Sequence, residues 1–339
     1  MDANACPCAA CARHPQHSDA EAHRRIRALL SYARPEERPW CAAMLPDGDD
    51  VLAAVTGIAL AELARCRGHL RLQENDLTAQ RARRVQQMAG SRDTLEVLMS
   101  ALRERERWRA GDVPHLELEL VVEGRRLHVR VPPTRESILL AFEIFADDTY
   151  RLDGAGAVPV IYDVGANVGL AALYLHVWHP TSKLVCVEPL PSNVALLCEN
   201  LQRNGVNAEV LPCAVAPDDG EVTLHVPQDS HAMASTQPLH GWTTRQVTVP
   251  ARSFSSVLSA DRFGLKLDAE GAEHLLTKSP EVLRGARWVV GELHVGEGVV
   301  SPTEARAFEE LLRREFALEL APAEAFGVTL TRAFKARRT

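Results

Sequence analysis

The sequence predicts an α/β fold with a doubly wound, mostly parallel β-sheet, preceded by an α-helical N-terminal region and a β-hairpin. From Val158 onwards, strand-like apolar runs alternate with helical patterns, as in a parallel sheet with helices on both faces. The run "HLELELVVEGRRLHVRVPP" alternates apolar and polar residues on both sides of Glu123-Gly124, which predicts the hairpin. The C-terminal runs "FALELAP" and "GVTLTRAF" are joined too closely for a crossover helix, so we expect them to pair antiparallel.

The individual elements follow from apolar patterns and from helix start signals. Thr134 is a predicted N-cap, and Ser301 with Glu304 predicts a capping box at the start of the last helix. The run "GEVTLHVPQ" predicts a further strand, and residues 229–246 form either a lid over the site or a plain surface loop. The predicted sheet strands are 158–165, 183–189, 208–215, 264–271 and 287–294, and the helices between them begin near Asn167, Ser192, Ala272 and Ser301.

Three regions are predicted along the 339 residues. Residues 1–18 are a flexible tail, residues 19–112 an α-helical region, and residues 113–339 the α/β domain with its leading hairpin. The helical region is expected to cover a substrate pocket or to form a homodimer interface.

Charge and composition limit the partners. A net charge of -7 does not favour nucleic acid, and no apolar run approaches the roughly 18 residues that span a bilayer. The N-terminus has no secretory signal, so we expect a cytoplasmic protein without a membrane partner.

A group of thiols and imidazoles lies in the predicted tail. Clustered cysteine and histidine side chains can bind zinc, but the C-x-C-x-x-C spacing does not form two separated pairs. We prefer a disordered tail and keep zinc as the alternative for Cys6, Cys8, Cys11, His14 and His17.

The stretch "VIYDVGANVGLAALYL" is a strand that turns into a helix at Gly165 and Gly169. In doubly wound sheets, ligands bind at such turns outside the carboxyl ends of the strands. A dinucleotide fingerprint beginning at Gly165 would require glycine at positions 167 and 170, which hold Asn167 and Leu170. The turn therefore disfavours a pyrophosphate.

Two carboxylates indicate which ligand the turn holds instead. Asp163 precedes the turn and would accept hydrogen bonds from an ammonium group, whereas it would repel a phosphate. Glu188 ends the next strand, where a carboxylate can accept hydrogen bonds from both ribose hydroxyls. Together they favour S-adenosylmethionine, and an NAD-type oxidoreductase is the alternative.

Four segments in order, "VIYDVGANVGLAALYL", "VCVEPLPSNVALLCENLQRNGVN", "VLPCAVAPDDGEVTLHV" and "LKLDAEGAEHLL", resemble the FkbM family of S-adenosylmethionine-dependent methyltransferases. The resemblance covers about residues 158 to 294. It implies a class I methyltransferase fold, Rossmann-like, with a seven-stranded sheet whose last strand is antiparallel. Carried over by position, it implies cofactor contacts by Asp163, Gly165, Asn167, Gly169, Glu188, Asn193 and Ala214.

A second polar group is predicted at the ends of the strands that include "KLDAEGAE" and "GELH". Asp268, Glu270, Glu292 and His294 should converge there, because parallel strands end at the same edge of a sheet. His294 or a carboxylate could act as a general base for a hydroxyl substrate. Alternatively, Asp268, Glu292 and His294 could hold Mg²⁺, and we prefer the metal-free base.

The sequence therefore predicts an S-adenosylmethionine-dependent O-methyltransferase that methylates a hydroxyl of a small molecule, such as a natural-product or sugar intermediate. An acyl chain or a peptide amine stays open as the acceptor. Besides the oxidoreductase, a non-catalytic cofactor-binding scaffold that recruits a partner through the N-terminal helices is an alternative.

Overall fold

The computed structural model describes residues 81–104, 108–227, 234–236, 243–296, 299–321, 324–326 and 329–338. The predicted tail, with its cysteine and histidine group, and the predicted helical region up to residue 80 lie outside the described residues. Of the predicted helical region, residues 81–88 and 92–104 are described as helical. No helix in the described part of the chain is both long and apolar enough to cross a bilayer.

The strands of the described chain form a hairpin, a large sheet and a small sheet. They are β1 (Leu116–Val122), β2 (Arg125–Val131), β3 (Val160–Val164), β4 (Lys183–Val187), β5 (Ala208–Leu211), β6 (Ala214–Val215), β7 (Gly220–Pro227), β8 (Thr244–Arg252), β9 (Phe263–Leu267), β10 (Ala286–Val295), β11 (Phe316–Leu320), β12 (Glu324–Phe326) and β13 (Thr329–Arg338).

The large sheet confirms the predicted architecture. Its order is β11-β13-β10-β9-β3-β4-β5, with β12 paired to β13. Strands β5, β4, β3, β9 and β10 are parallel, whereas β13 runs antiparallel to both β10 and β11. The strand order reverses at β3, so the carboxyl ends of β3, β4 and β9 form the edge at which such sheets bind ligands.

Helices cover this sheet, and two of them begin as predicted. The Thr134 hydroxyl accepts a hydrogen bond from the amide of Ser137, and Ser301 with Glu304 forms the capping box. One turn of π-helix, Phe142–Ala146, follows the Thr134-capped helix. Besides the helical residues 81–88, the described helices are α1 (Arg92–Glu104), α2 (Arg135–Ala141), α3 (Leu170–Trp178), α4 (Pro191–Arg203), α5 (Phe254–Val257) and α6 (Pro302–Glu315).

The hairpin and helix α1 belong to the same hydrophobic core as one face of the sheet. Leu98 of α1, Leu120 of β1 and Ile161 of β3 are buried in one apolar cluster. The Asn200 carboxamide of α4 accepts a hydrogen bond from the Arg130 amide at 2.8 Å, which ties β2 to this helix. The part of the chain before β3 is therefore packed onto the α/β domain.

Two predicted elements differ from the structure, and one long strand was not anticipated. The predicted strand 208–215 is broken at Pro212, which has no amide hydrogen to donate, and residues 214–215 join a second sheet of order β6-β8-β7. The predicted helix near Ala272 is two short 3₁₀ segments, Glu273–Lys278 and Pro280–Gly285, separated at Ser279 and Pro280. Strand β8 was not predicted, and it includes the end of the candidate lid.

Candidate active site

A cavity of about 430 Å³ lies at the carboxyl ends of β3, β4 and β9. The predicted residues that line it are Gly165, Asn167, Glu188, Ala214, Asp268 and Glu270. Residues 234–236, from the predicted lid, also line the cavity, and Ser235 pairs with His225 of β7. Asp163, Gly169, Asn193, Glu292 and His294 are not among the lining residues.

Gly165 permits a close approach between two strand ends. Its φ of 77° lies in the left-handed region, and a Cβ there would lie 1.7 Å from the carbonyl oxygen of Asp268. The absent side chain therefore makes room for the backbone of β9. The sequence predicted that Gly165 lies in a ligand-binding turn, and the structure shows that it is also needed for backbone packing.

Gly165→Ala is expected to destabilise the protein by about 3 kcal/mol or more, because backbone atoms of Asp268 cannot yield as a side chain would. Gly205→Ala is the matched control, since Gly205 has a φ of 65° but nothing within 4 Å of the point that a Cβ would occupy. The control should lose only about 1 to 2 kcal/mol, the cost of a left-handed L-residue. Urea unfolding measures both, and equal losses would contradict the close approach.

Glu188 is buried at the end of β4 and is held by protein donors. Its Oε2 accepts the amide hydrogen of Asn167 at 2.9 Å, and its Oε1 accepts the amide of Leu190 at 3.0 Å and Nδ2 of Asn193 at 3.2 Å. Burial raises the pKa of Glu188 to about 7, although these hydrogen bonds oppose the rise. Asn193, predicted to contact the cofactor, thus lies behind Glu188 and orients it.

Asp163 and Lys266 form a buried ion pair beneath the turn. Asp163 has no exposed surface, Lys266 is 2% exposed, and Lys266 Nζ lies 3.2 Å from Asp163 Oδ1. The ammonium donates its hydrogen bond to the carbonyl oxygen of Gly165 at 2.7 Å. Burial opposes the charge of the lysine, but Asp163 and Asp268 raise the pKa of Lys266 well above its usual range. Asp163 therefore faces Lys266 and is not exposed to the cavity.

Asp268 is partly exposed at the end of β9 and has a fixed orientation. The Tyr150 hydroxyl donates to Asp268 Oδ2 at 2.9 Å, and Lys266 Nζ lies 3.5 Å from the same oxygen. The Tyr150 oxygen is also 3.3 Å from Glu292 Oε1. Burial opposes ionisation of Asp268, but Lys266 and His294 outweigh it and lower the pKa of this carboxyl.

The pKa values of Glu270 and His294 are raised, whereas that of Asp268 is lowered. Burial, with the negative charges of Asp268 and Glu273 nearby, raises the pKa of Glu270 to about 8. Burial opposes the charge of His294, but the carboxylates of Glu270, Glu273 and Asp268 raise the pKa of this histidine well above its usual range. His294 Nδ1 lies 3.2 Å from Glu273 Oε1, and its Nε2 lies 3.7 Å from Glu270 Oε2. These carboxylates therefore favour the imidazolium form of His294.

Among the described residues, one group has the donor atoms and spacing of a cation site. Ligand atoms of Asp268, Glu270 and His294 lie within 4.8 Å of one another. This group differs from the predicted magnesium set, because Glu270 takes the place of Glu292, which lies beside the Tyr150 hydroxyl. Two carboxylates and an imidazole can hold a divalent cation, although imidazole suits zinc or iron better than magnesium.

Tyr150 was not among the predicted site residues, and Lys266 and Glu273 had no predicted role. Lys266 and Glu273 belong to the run "KLDAEGAE", whose alternation places charged side chains at one strand end. Tyr150 follows a helix in an irregular turn, so no periodicity indicated that it would reach β9. Distance in three dimensions identified it.

Known proteins with similar sequences match the part of the chain that carries the strand ends around the cavity. Residues 163–308 match the family model described as the methyltransferase FkbM domain. The chain is 34% identical over 105 residues to 31-O-demethyl-FK506 methyltransferase FkbM of Streptomyces tacrolimicus, covering 30% of this chain and 40% of that protein. It is 30% identical over 106 residues to methyltransferase sdnD of Sordaria araneosa, covering 31% and 41%. The chain thus spans about two fifths of the length of these relatives.

Solved structures that match this chain include two with bound ligands. TYW2 of M. jannaschii in complex with AdoMet has 13% identity and a TM-score of 0.36, covering 66% of this chain and 87% of that chain. An O-methyltransferase of Bacillus cereus in complex with SAH has 14% identity and a TM-score of 0.35, covering 54% and 74%. The class I methyltransferase fold of this chain rests on its strand order and its family match. Residues 163–308 of this chain are thus similar to the methyltransferase FkbM domain.

Proposed function

We propose that this protein is an S-adenosylmethionine-dependent O-methyltransferase that acts on a hydroxyl of a small molecule. The observation that carries the proposal is the order of chemical groups along the cavity edge. An apolar wall at residues 213–217 follows β5, Glu188 follows β4, the glycine turn follows β3, and Asp268 with Glu270 follows β9. An apolar site, a carboxylate and the ionised Asp268 in that order match an adenine, a ribose and a cationic methionine group.

The cavity also offers unused acceptors for this cofactor. The Asn167 Oδ1 atom is buried and has no hydrogen-bond partner among the described residues, so it can accept from the methionine ammonium. Glu188 Oε2 receives one protein donor and therefore keeps an acceptor position for a ribose hydroxyl. When bound, S-adenosylmethionine supplies a methyl group that its positive sulfur has already activated.

The protein must align the acceptor oxygen and remove one proton. Glu270 lines the cavity, and its pKa of about 8 suits a base at neutral to mildly alkaline pH. The lowered pKa of Asp268 favours its ionised form, which can stabilise the cationic methionine group. Two neighbouring carboxyl groups whose pKa values are driven apart commonly divide such roles. We therefore assign the base to Glu270, whereas His294, already protonated, balances the negative charge.

The assignment of a hydroxyl acceptor is supported by the need for a base beside the cavity, since a protonated alcohol is a poor nucleophile. It is also supported by the relative from Streptomyces tacrolimicus, whose name describes methylation of an oxygen in a small molecule. A divalent cation at Asp268, Glu270 and His294 is a second candidate for activating the hydroxyl, favoured by the spacing of their ligand atoms.

Glu188→Ala is expected to weaken S-adenosylmethionine binding about 10- to 100-fold, because it removes a charged acceptor from the proposed ribose contact. Wild-type affinity should rise as the pH rises through about 7, because the ionised carboxylate accepts a hydrogen bond from a ribose hydroxyl more strongly. Isothermal titration calorimetry measures both effects.

Glu209→Ala is the control, since Glu209 is a half-exposed residue of the neighbouring strand that pairs with Lys183. Glu188→Gln removes the charge at nearly the same shape, although its one oxygen can accept from only one of the amides of Asn167 and Leu190, which donate to different oxygens of Glu188. Unchanged affinity in a folded Glu188→Ala protein would refute the ribose assignment. Binding without methyl transfer to any member of a hydroxyl panel would favour the scaffold alternative.

A further inference from the structure

Tyr150 lies outside the family-matched residues 163–308 but reaches the centre of the proposed site. It is buried and lines the cavity. Its hydroxyl donates to Asp268 Oδ2 at 2.9 Å, and its ring lies 5.2 Å from Lys266 Nζ. With Oδ2 occupied by Tyr150, the other oxygen of Asp268 remains for a ligand or for His294, whose Nε2 is 3.9 Å away.

The turn that carries Tyr150 is held from the N-terminal side. Arg81 Nε donates to Asp147 Oδ2 at 2.7 Å, and Arg84 Nη1 donates to the carbonyl oxygen of Ala146. Arg84 also lies 3.4 Å from Asp148 Oδ2. Both arginines belong to the helical residues 81–88, which precede the α/β domain. This helix therefore contacts three consecutive residues just before Tyr150.

The same turn is held from the sheet side. Tyr174 of α3 donates to Asp148 Oδ1 at 2.8 Å, and Lys335 of β13 donates to the carbonyl oxygen of Asp148 at 3.1 Å. Asp148 has a φ of 54°, a left-handed conformation that costs an L-residue about 1 to 2 kcal/mol. Contacts from outside the turn stabilise this conformation and thereby fix the backbone position of Tyr150.

We propose that Arg81, Arg84 and the 146–150 turn complete the active site by holding the Tyr150 hydroxyl on Asp268, which keeps this carboxylate directed towards the positive sulfur of the cofactor. The inference rests on the proposed function. Tyr150 is then a positioning residue, because it acts through Asp268. The two arginines act through Tyr150 in the same way. Part of the methyl-donor site is thus built from chain that precedes the matched domain.

The proposal can be tested by comparing two ligands that differ in one charge. S-adenosylmethionine has a positive sulfur and S-adenosylhomocysteine a neutral one, so the ratio of their affinities reports the charge that Asp268 presents to the ligand. A substitution that only destabilises the structure should weaken the binding of both ligands to the same extent. In Tyr150→Phe we expect the affinity ratio, methionine form over homocysteine form, to fall about tenfold, with homocysteine-form affinity within about twofold of wild type.

The double variant Arg81→Met/Arg84→Met tests the same idea without touching the cavity. We expect its affinity ratio to fall about threefold and to recover in Arg81→Lys/Arg84→Lys, which restores the positive charges. Arg92→Met is the control, because Arg92 is 88% exposed and its ion pair among the described residues is with Glu96 of its own helix. Calorimetry at one neutral pH gives every value, and circular dichroism confirms folding.

The outcomes separate this inference from the proposed function. Unchanged ratios in Tyr150→Phe and in the double arginine variant, with a wild type that binds both ligands, would overturn the inference alone. An equal loss of affinity for both ligands would also overturn the inference, because such a loss would indicate a purely structural role for these residues. A folded wild type that binds neither ligand would overturn the proposed function and this inference with it.

Discussion

Glu270→Gln is expected to slow methyl transfer to a hydroxyl acceptor by about 10²- to 10⁴-fold, the usual contribution of a positioned general base. Glutamine is nearly the same size as glutamate and can accept a hydrogen bond, but it cannot take up the proton of the acceptor. Because Glu270 lines the cavity without serving as the proposed ribose contact, S-adenosylmethionine affinity should fall far less than the rate. Single-turnover transfer of a labelled methyl group measures the rate.

The pH dependence of the same assay identifies the base. A carboxylate base must have lost its proton, so the wild-type rate should rise as the pH rises through about 8 and then level off. This rise should disappear in Glu270→Gln. Glu310→Gln, an exposed glutamate of α6, is the control and should keep the wild-type profile.

Chelation distinguishes the base from the cation alternative. If Glu270 acts as a metal-free base, dialysis against EDTA should leave the wild-type rate unchanged. A rate lost in EDTA and restored by a divalent cation would support the second candidate. A Glu270→Gln protein with a wild-type rate would contradict both roles of this residue.

Lys266→Met is expected to destabilise the protein by about 3 to 5 kcal/mol, the usual cost of leaving a buried charge without its partner. Asp163 has no exposed surface, and apart from the Lys266 ion pair its buried carboxylate oxygens have no hydrogen-bond partner in the part of the chain that the structure describes. The ammonium of Lys266, 3.2 Å away, is what compensates its charge, and it also binds the carbonyl oxygen of Gly165. Urea unfolding at neutral pH gives the free energy of unfolding.

A second substitution tests the cause. Asp163→Asn removes the buried negative charge, so the double variant Lys266→Met/Asp163→Asn should recover a large part of the lost stability. Lys183→Met is the control, because Lys183 is 58% exposed and its ion pair with Glu209 should contribute at most about 1 kcal/mol. A Lys266→Met loss near that of the control, or a double variant less stable than the single, would contradict the ion-pair explanation.

Much of the fold was predictable because its signals are local. The alternation of apolar strands and helices from Val158 predicted the doubly wound sheet, and the closely joined C-terminal strands predicted its antiparallel end. The capping residues Thr134 and Ser301 act within one helical turn, so the sequence alone located both helix starts. The split at Pro212 and the second sheet were missed, because pairing with distant β8 determines where residues 214–215 lie.

For the candidate site too, some features were predictable from the sequence and others depended on tertiary contacts. The sequence by itself determined which carboxylates gather at the carboxyl ends of the strands, since strand direction and spacing decide where Glu188, Asp268 and Glu270 emerge. Only the tertiary structure decided their environments, because pKa values depend on burial and on neighbours that are remote along the chain. It directed Asp163 to Lys266, surrounded His294 with carboxylates, and brought Tyr150 to Asp268 across 118 positions. No pattern of spacing encodes such contacts, since they arise when separate elements pack against one another.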